Sequence, residues 1–176
     1  MILLKWKEMN IKITFEKLYS SVDELKTYSL NTPFETAALT ANILCSYTKE
    51  NKDNFYNMLQ VLMGEVQPLS NLMKQQIDER MAQNDKWKYI GKSYFNGANK
   101  ENDYTPNTPY EIEVEENPYS YTNEGYARLL LKSSGADNER PITLRKLKDG
   151  RWLLWSDSIL GLLSDIRQPE SENPWA

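Results

Sequence analysis

Apolar residues in the first half of the chain recur every three to four positions, and in the second half they alternate, a pattern that predicts helices followed by strands. The clearest helix start is Thr32-Pro33-Phe34-Glu35. A threonine N-cap precedes a proline at the first helical position, and the glutamate three residues after the cap is placed to reach back to it. Beyond it Phe34, Ala37, Ala38, Ala41, Leu44 and Cys45 share one face, while Leu39 and Ile43 add a second apolar strip, so this helix is expected to be central. Asp53 is expected to cap a second helix, with Phe55, Met58, Leu59 and Leu62 inward and Gly64 as its left-handed stop. Pro68 is expected to open a third, with Leu69, Leu72, Met73, Ile77 and Met81 inward. Ser21 and Glu24 form a weaker capping-box pattern for a short helix near 22–28. Residues 9–15 stay ambiguous, although Met9, Ile11, Ile13 and Phe15 alternate as a strand would.

From about residue 87 the period shifts toward two. Tyr110, Ile112 and Val114 alternate with Glu111, Glu113 and Glu115, as in a strand with one face on a core and one in water. Residues 125–133 and 141–147 read as the next strands, and Asp149-Gly150 between LRKLK and RWLLW predicts a type I′ hairpin. Ile159, Leu162, Leu163 and Ile166 give one more helical stripe. Helices first and antiparallel strands afterwards is the α+β pattern. The expected architecture is N-terminal helices packed on one face of a C-terminal antiparallel sheet, with the other face partly open. Residues 1–176 are expected to form a single domain, with a helical part at about 15–83, a β-rich part at about 87–156, a C-terminal helix at about 157–166 and a tail.

Composition narrows the chemistry. The chain contains no histidine, which excludes Ser-His-Asp and Cys-His nucleophile systems and histidine-ligated metal sites. Catalysis would fall to carboxylates, tyrosine, lysine or arginine, and no cofactor or metal is expected. Glu111, Glu113, Glu115 and Glu116 lack calcium-loop spacing and read as a solvated strand face. A net charge of -4, without a dense basic run, argues against nucleic acid or an anionic membrane as partner. The single cysteine, Cys45, permits no internal disulfide and reads as inert core, which favours a reducing, cytoplasmic location. The opening MILLKWKEMNIK holds a four-residue apolar run, too short for a signal-peptide core or a membrane helix.

The phrases TPFETAAL at 32–39, SYFNGA at 93–98, SSGADNERPITLR at 133–145, DGRWLLW at 149–155 and PESENPWA at 169–176 carry a resemblance to a functionally uncharacterised bacterial protein family. The departure is Asn99-Lys100 before Glu101-Asn102, where the family has a threonine-proline pair, which implies a looser turn here. The resemblance brings no activity, substrate or catalytic residue with it. Helices on a sheet that ends in an LRK…DGRWLLW hairpin also look like the nuclear-transport-factor-2-like cone folds, which host enzymes and pure binding modules alike.

Two constellations are candidates for function. The Ser133–Asp137 loop with Arg140 and Arg145 joins small residues, whose amides an anion can approach, to planar guanidinium forks. The plainer reading is a connecting turn in which Asp137 pairs with an arginine. The aromatics Tyr94, Phe95, Tyr104, Tyr110, Tyr119, Tyr121, Tyr126, Trp152 and Trp155 are dense in the β-half, and either line a ligand surface or pack the sheet. The expected ligand-binding residues are Tyr94, Tyr104, Tyr110, Tyr126, Asp137, Arg140, Arg145 and Trp155. The expected function is that of a non-enzymatic binding domain for a protein or small molecule, with a homodimer as one form of it. The competing class is a small cone-fold lyase or isomerase with Asp103 or Asp137 as base and tyrosine hydroxyls beside it.

Overall fold

The helix that begins at Pro33 organises the molecule. The structure is a computed structural model that describes residues 9–175, so the apolar run at 1–4 lies outside the described residues. In chain order the elements are β1 (Met9–Phe15), α1 (Val22–Leu25), α2 (Pro33–Leu44), α3 (Lys52–Met63), α4 (Asn71–Ala82), β2 (Tyr110–Glu116), β3 (Tyr126–Leu131), β4 (Arg140–Lys146) and β5 (Trp152–Leu154). The strands form one curled antiparallel sheet in the order β1-β2-β3-β4-β5, with the helices against it, as the α+β pattern requires. The ambiguous segment 9–15 is its first strand, paired with β2 so that Ile11 meets Val114 and Ile13 meets Ile112.

Every residue of α2 from Thr36 to Leu44 is buried, because the sheet curls round one side of the helix and α3 covers another. Against it lie Ile112, Val114, Ala127, Leu129, Leu131, Ile142 and Leu144, all without exposed surface. A helix enclosed in this way must bond its own polar side chains. Thr36 Oγ1 donates to Trp152 O (2.6 Å) and Thr40 Oγ1 to Thr36 O (2.8 Å). Asn42 accepts from Tyr19 N (2.8 Å) and donates to Lys17 O (3.2 Å), anchoring the chain just after β1. At the helix C-terminus Gly91 presses so close that a Cβ there would lie 2.6 Å from Cys45 N and 2.9 Å from Leu44 C. Only glycine fits that approach.

The caps follow the sequence in kind but not always in position. Thr32 accepts from Glu35 N (3.2 Å), whereas the Glu35 carboxylate reaches past the cap to Leu30 N (2.7 Å). The cap of α3 is Asn51, which accepts from Asn54 N; Asp53 lies inside the first turn. Ser70, not Pro68, caps α4 by accepting from Met73 N. Ile77 and Met81 of α4 are buried as expected, but Leu72 points to solvent. Gly64 ends α3 with φ 75° and sits against Leu153.

The largest departure is at 87–109, which the shift in period marked as β-rich. It forms 3-10 turns at Gln83–Lys88, Gly91–Tyr94 and Lys100–Asn102. Among the buried residues there, Tyr89-Ile90 and Tyr94-Phe95 are adjacent pairs, a spacing that a pleat cannot turn to one side but a tight helical turn can. The Asn99 turn is not loose: Asn99 accepts from Glu101 N and Asn102 N while Asn102 Oδ1 accepts from Asn99 N. The β4–β5 connection is longer than a two-residue hairpin. Lys146 pairs with Trp152, Gly150 N bonds Leu147 O (3.0 Å), and Gly150 alone of the Asp-Gly pair takes positive φ. The last helical stripe is a 3-10 turn at Ser158–Leu163, with Gly161 inside it and no side-chain cap at Asp157.

Two substitutions test this arrangement. Asn42→Ala orphans Tyr19 N and Lys17 O, and is expected to lower stability by roughly 2 kcal/mol. Gly91→Ala drives a methyl into α2 backbone that cannot retreat, and is expected to lower it by about 1–3 kcal/mol. Urea unfolding should give lower midpoints with unchanged slopes. A wild-type midpoint for Gly91→Ala would show that the close approach is not real.

Candidate functional site

The pleat of β3 and β4 turns Tyr126, Arg128, Thr143 and Arg145 away from the core, and the register sets Tyr126 opposite Arg145 and Arg128 opposite Thr143. Trp155 follows β5 and extends the pairing through Trp155 N to Thr143 O (3.0 Å). Its ring comes edge-on to Tyr126, with centroids 5.7 Å apart. The Arg145 guanidinium lies over both rings, 5.0 Å from Tyr126 and 4.4 Å from Trp155. Three of the expected site residues, Tyr126, Arg145 and Trp155, are thus brought together on the outer face of the sheet. Such stacking orients a guanidinium without neutralising it.

Beside this cluster, between the outer side of β4 and the Ser158–Leu163 turn, is a hollow of about 570 Å³ whose lining includes Arg80, Arg128, Thr143, Trp155 and Ser158. Arg80 arrives from α4, its Nη1 fixed by Leu160 O at 2.6 Å. Asp157 also lines the hollow but forms an ion pair with neither arginine. A smaller hollow of about 120 Å³ lies under the exposed Tyr119, between it, Tyr126 and Arg128. Lys146 Nζ stands 5.8 Å from the Trp152 ring. No ion pair among the described residues involves Arg128, Arg145, Lys146 or Lys148.

The remaining expected residues lie away from this cluster. Tyr94 is buried and its hydroxyl donates to Leu162 O (2.6 Å); Tyr104 stacks on Tyr89 and donates to Arg167 O (2.6 Å). Tyr110 packs edge-on to Phe95. The Ser133–Asp137 loop meets the 93–98 turn across a groove of about 450 Å³. Its amides are engaged, Ser134 N to Ser93 O, Gly135 N to Ser133 Oγ and Ala136 N to Ser133 O, so those three offer nothing to an anion. Asp137 pairs with Arg167 at 2.6 Å, whereas Arg140 reaches Asp165 O and Arg145 stands at the far end of β4. Asp103, the other base considered, is exposed and accepts from Ser171 Oγ.

Arg128 and Thr143 were missed as site residues, and Tyr119, named among the aromatics, was left out of the expected ligand-binding set. Arg128 was within reach of the sequence, two residues after Tyr126 and so on the same strand face. Arg80 had no signal, because its place depends on how α4 packs.

A curled sheet wrapped on a helical layer, with a cationic-aromatic outer face, defines an α+β protein. Residues 17–170 match the family described as "Domain of unknown function (DUF6935)", and the chain belongs to that family. No curated protein and no solved structure matches the chain. Among the described residues no helix is long and apolar enough to cross a membrane.

The buried tyrosines make a pH prediction. Burial raises the Tyr94 and Tyr104 hydroxyls above their ordinary value of 10.0 and pushes Tyr89 up to about 12. Folding favours their neutral form, so this contribution is complete below about pH 10 and is lost as pH climbs toward the raised values. Urea midpoints should therefore fall between about pH 10 and about pH 12, and less steeply in Tyr104→Phe.

Proposed function

We propose that this protein is a binding domain whose outer sheet face takes an acidic segment of a partner protein. The observation that carries the reading is charge. In a chain of net charge -4, Arg128 and Arg145 stand on one sheet face beside Tyr126 and Trp155 without an ion-pair partner among the described residues, and Lys146 and Lys148 follow at the end of β4. Tyrosine, tryptophan and arginine are the side chains that dominate protein interfaces, and arginine matches a carboxylate with two parallel hydrogen bonds.

The lyase or isomerase reading has less support. A cone-fold enzyme needs an open concave side, and here α2 fills that side while the Tyr94 and Tyr104 hydroxyls are held by main-chain carbonyls. We read the curl of the sheet as nuclear-transport-factor-2-like in outline, with the cone filled. The setting is a reducing cytoplasm, where the Cys45 thiol, pushed up to about 12 by burial, stays protonated.

A fluorescein-labelled oligoglutamate peptide, followed by anisotropy with an oligolysine peptide as control, tests the proposal. The oligoglutamate should bind at low salt and weaken as salt rises. Arg128→Glu with Arg145→Glu should weaken it by about tenfold or more, with the far-ultraviolet circular dichroism unchanged. Equal binding by the double variant, or tighter binding of oligolysine, would overturn the assignment.

A further inference from the structure

The two edges of the sheet are finished differently. At the β5 edge the backbone is occupied: Trp152 N donates to Leu30 O (2.7 Å), and Trp152 O and Leu154 O accept from Thr36 Oγ1 (2.6 Å) and Gln67 Nε2 (3.1 Å). At the β1 edge no such bonds occur among the described residues. Among the described residues the backbone of Met9–Phe15 bonds to β2 and to nothing else, so every second amide and carbonyl along it faces outward unpaired. The inner row of β1 is incompletely covered too, with Met9 47% exposed and Ile11 and Ile13 only half-buried.

We infer that β1 pairs antiparallel with β1 of a second copy of this chain, Ile11 opposite Ile11, to make one continuous sheet across a two-fold axis. The register follows from the side chains. Centred on Ile11, the inner row sets Met9 against Ile13 and Ile11 against itself, and the outer row sets Asn10 against Lys12. Apolar meets apolar and no like charges oppose. Centred on Lys12, the two lysines would stand directly opposite each other, which cross-strand pairing disfavours. Centred on Ile13, the contact would use Phe15, already 1% exposed beneath the Tyr19 and Tyr28 rings, and would leave Met9 uncovered. Lys12 therefore guards against the register centred on itself and leaves the Ile11-centred one open.

The choice of a second copy over a foreign strand rests on this self-complementarity. An antiparallel pair in a continuous sheet relates the copies by an axis normal to the sheet, which leaves both outer faces on the same side. The inference stands apart from the acidic-partner reading, since none of Arg128, Arg145 or Trp155 takes part.

Sedimentation equilibrium of the whole chain over micromolar concentrations tests it, because a short paired edge gives a weak, reversible dimer. Asn10→Lys leaves an exposed position exposed but sets the new lysine against Lys12 of the other copy, twice per dimer. It is expected to weaken association by about fivefold or more. Adding Lys12→Asn to Asn10→Lys exchanges the two side chains, removes the lysine–lysine contact across the axis without setting a like charge against Glu113 of the same chain, and should restore the original affinity. A chain that stays monomeric throughout, or a dimer indifferent to Asn10→Lys, or one that the second substitution fails to rescue, overturns the inference.

Discussion

A helix buried on every side cannot leave a polar atom unbonded, and α2 meets that constraint by using its polar side chains as ties. Thr36 holds the outer carbonyl of β5, Asn42 holds the chain after β1, and Thr40 bonds back onto its own helix. Those first two bonds reach the segments at the two ends of the sheet, so the hydrogen-bonding need of one helix fixes how far the sheet curls. The glycine approach at Gly91 closes the C-terminal end of the same helix. With α2 filling the concave side, the outer face of the sheet and its unbonded edge remain open to recognition.

The same constraint explains what was legible in the chain. The Thr32-Pro33 start, the two apolar strips of α2 and the alternation in 110–116 are local signals, and each element stands where its pattern put it. The neighbouring caps slipped by two residues because asparagine and serine compete with aspartate and proline for the same role, and Asn51 and Ser70 won it. Residues 87–109 form turns within the part expected to be β-rich, because Tyr89-Ile90 and Tyr94-Phe95 have the pairing of a turn that buries both neighbours. Leu72 shows the reverse error, an apolar residue at helical spacing that the packing of α4 leaves in water.

The candidate site was half legible for a related reason. Tyr126, Arg145 and Trp155 were visible as residue types, but their meeting needs the β3–β4 register and the path of the chain after β5, neither of which a single strand encodes. Tyr94 and Tyr104 were the same residue type with the opposite fate. A tyrosine hydroxyl is as ready to satisfy a buried carbonyl as to greet a ligand, and Leu162 O and Arg167 O sit where helix and strand hydrogen bonding cannot reach them. The Ser133–Asp137 loop repeats the lesson, since small residues that would let an anion approach also let the 93–98 turn and the C-terminal segment approach.

An arginine laid over two rings with no carboxylate beside it is a specific physical choice. Guanidinium is more weakly hydrated than ammonium, so stacking costs Arg145 little solvation while the rings remove most of its rotamer freedom. A carboxylate that meets it then loses less entropy than it would against a free surface lysine. In a dimer joined through β1, two such faces lie on one side of a single sheet, and a partner with two acidic segments would bind the second one at a high effective concentration. The weakness of each half of the system, a short strand edge and a solvent-exposed charge cluster, would then be offset by geometry rather than by larger contacts.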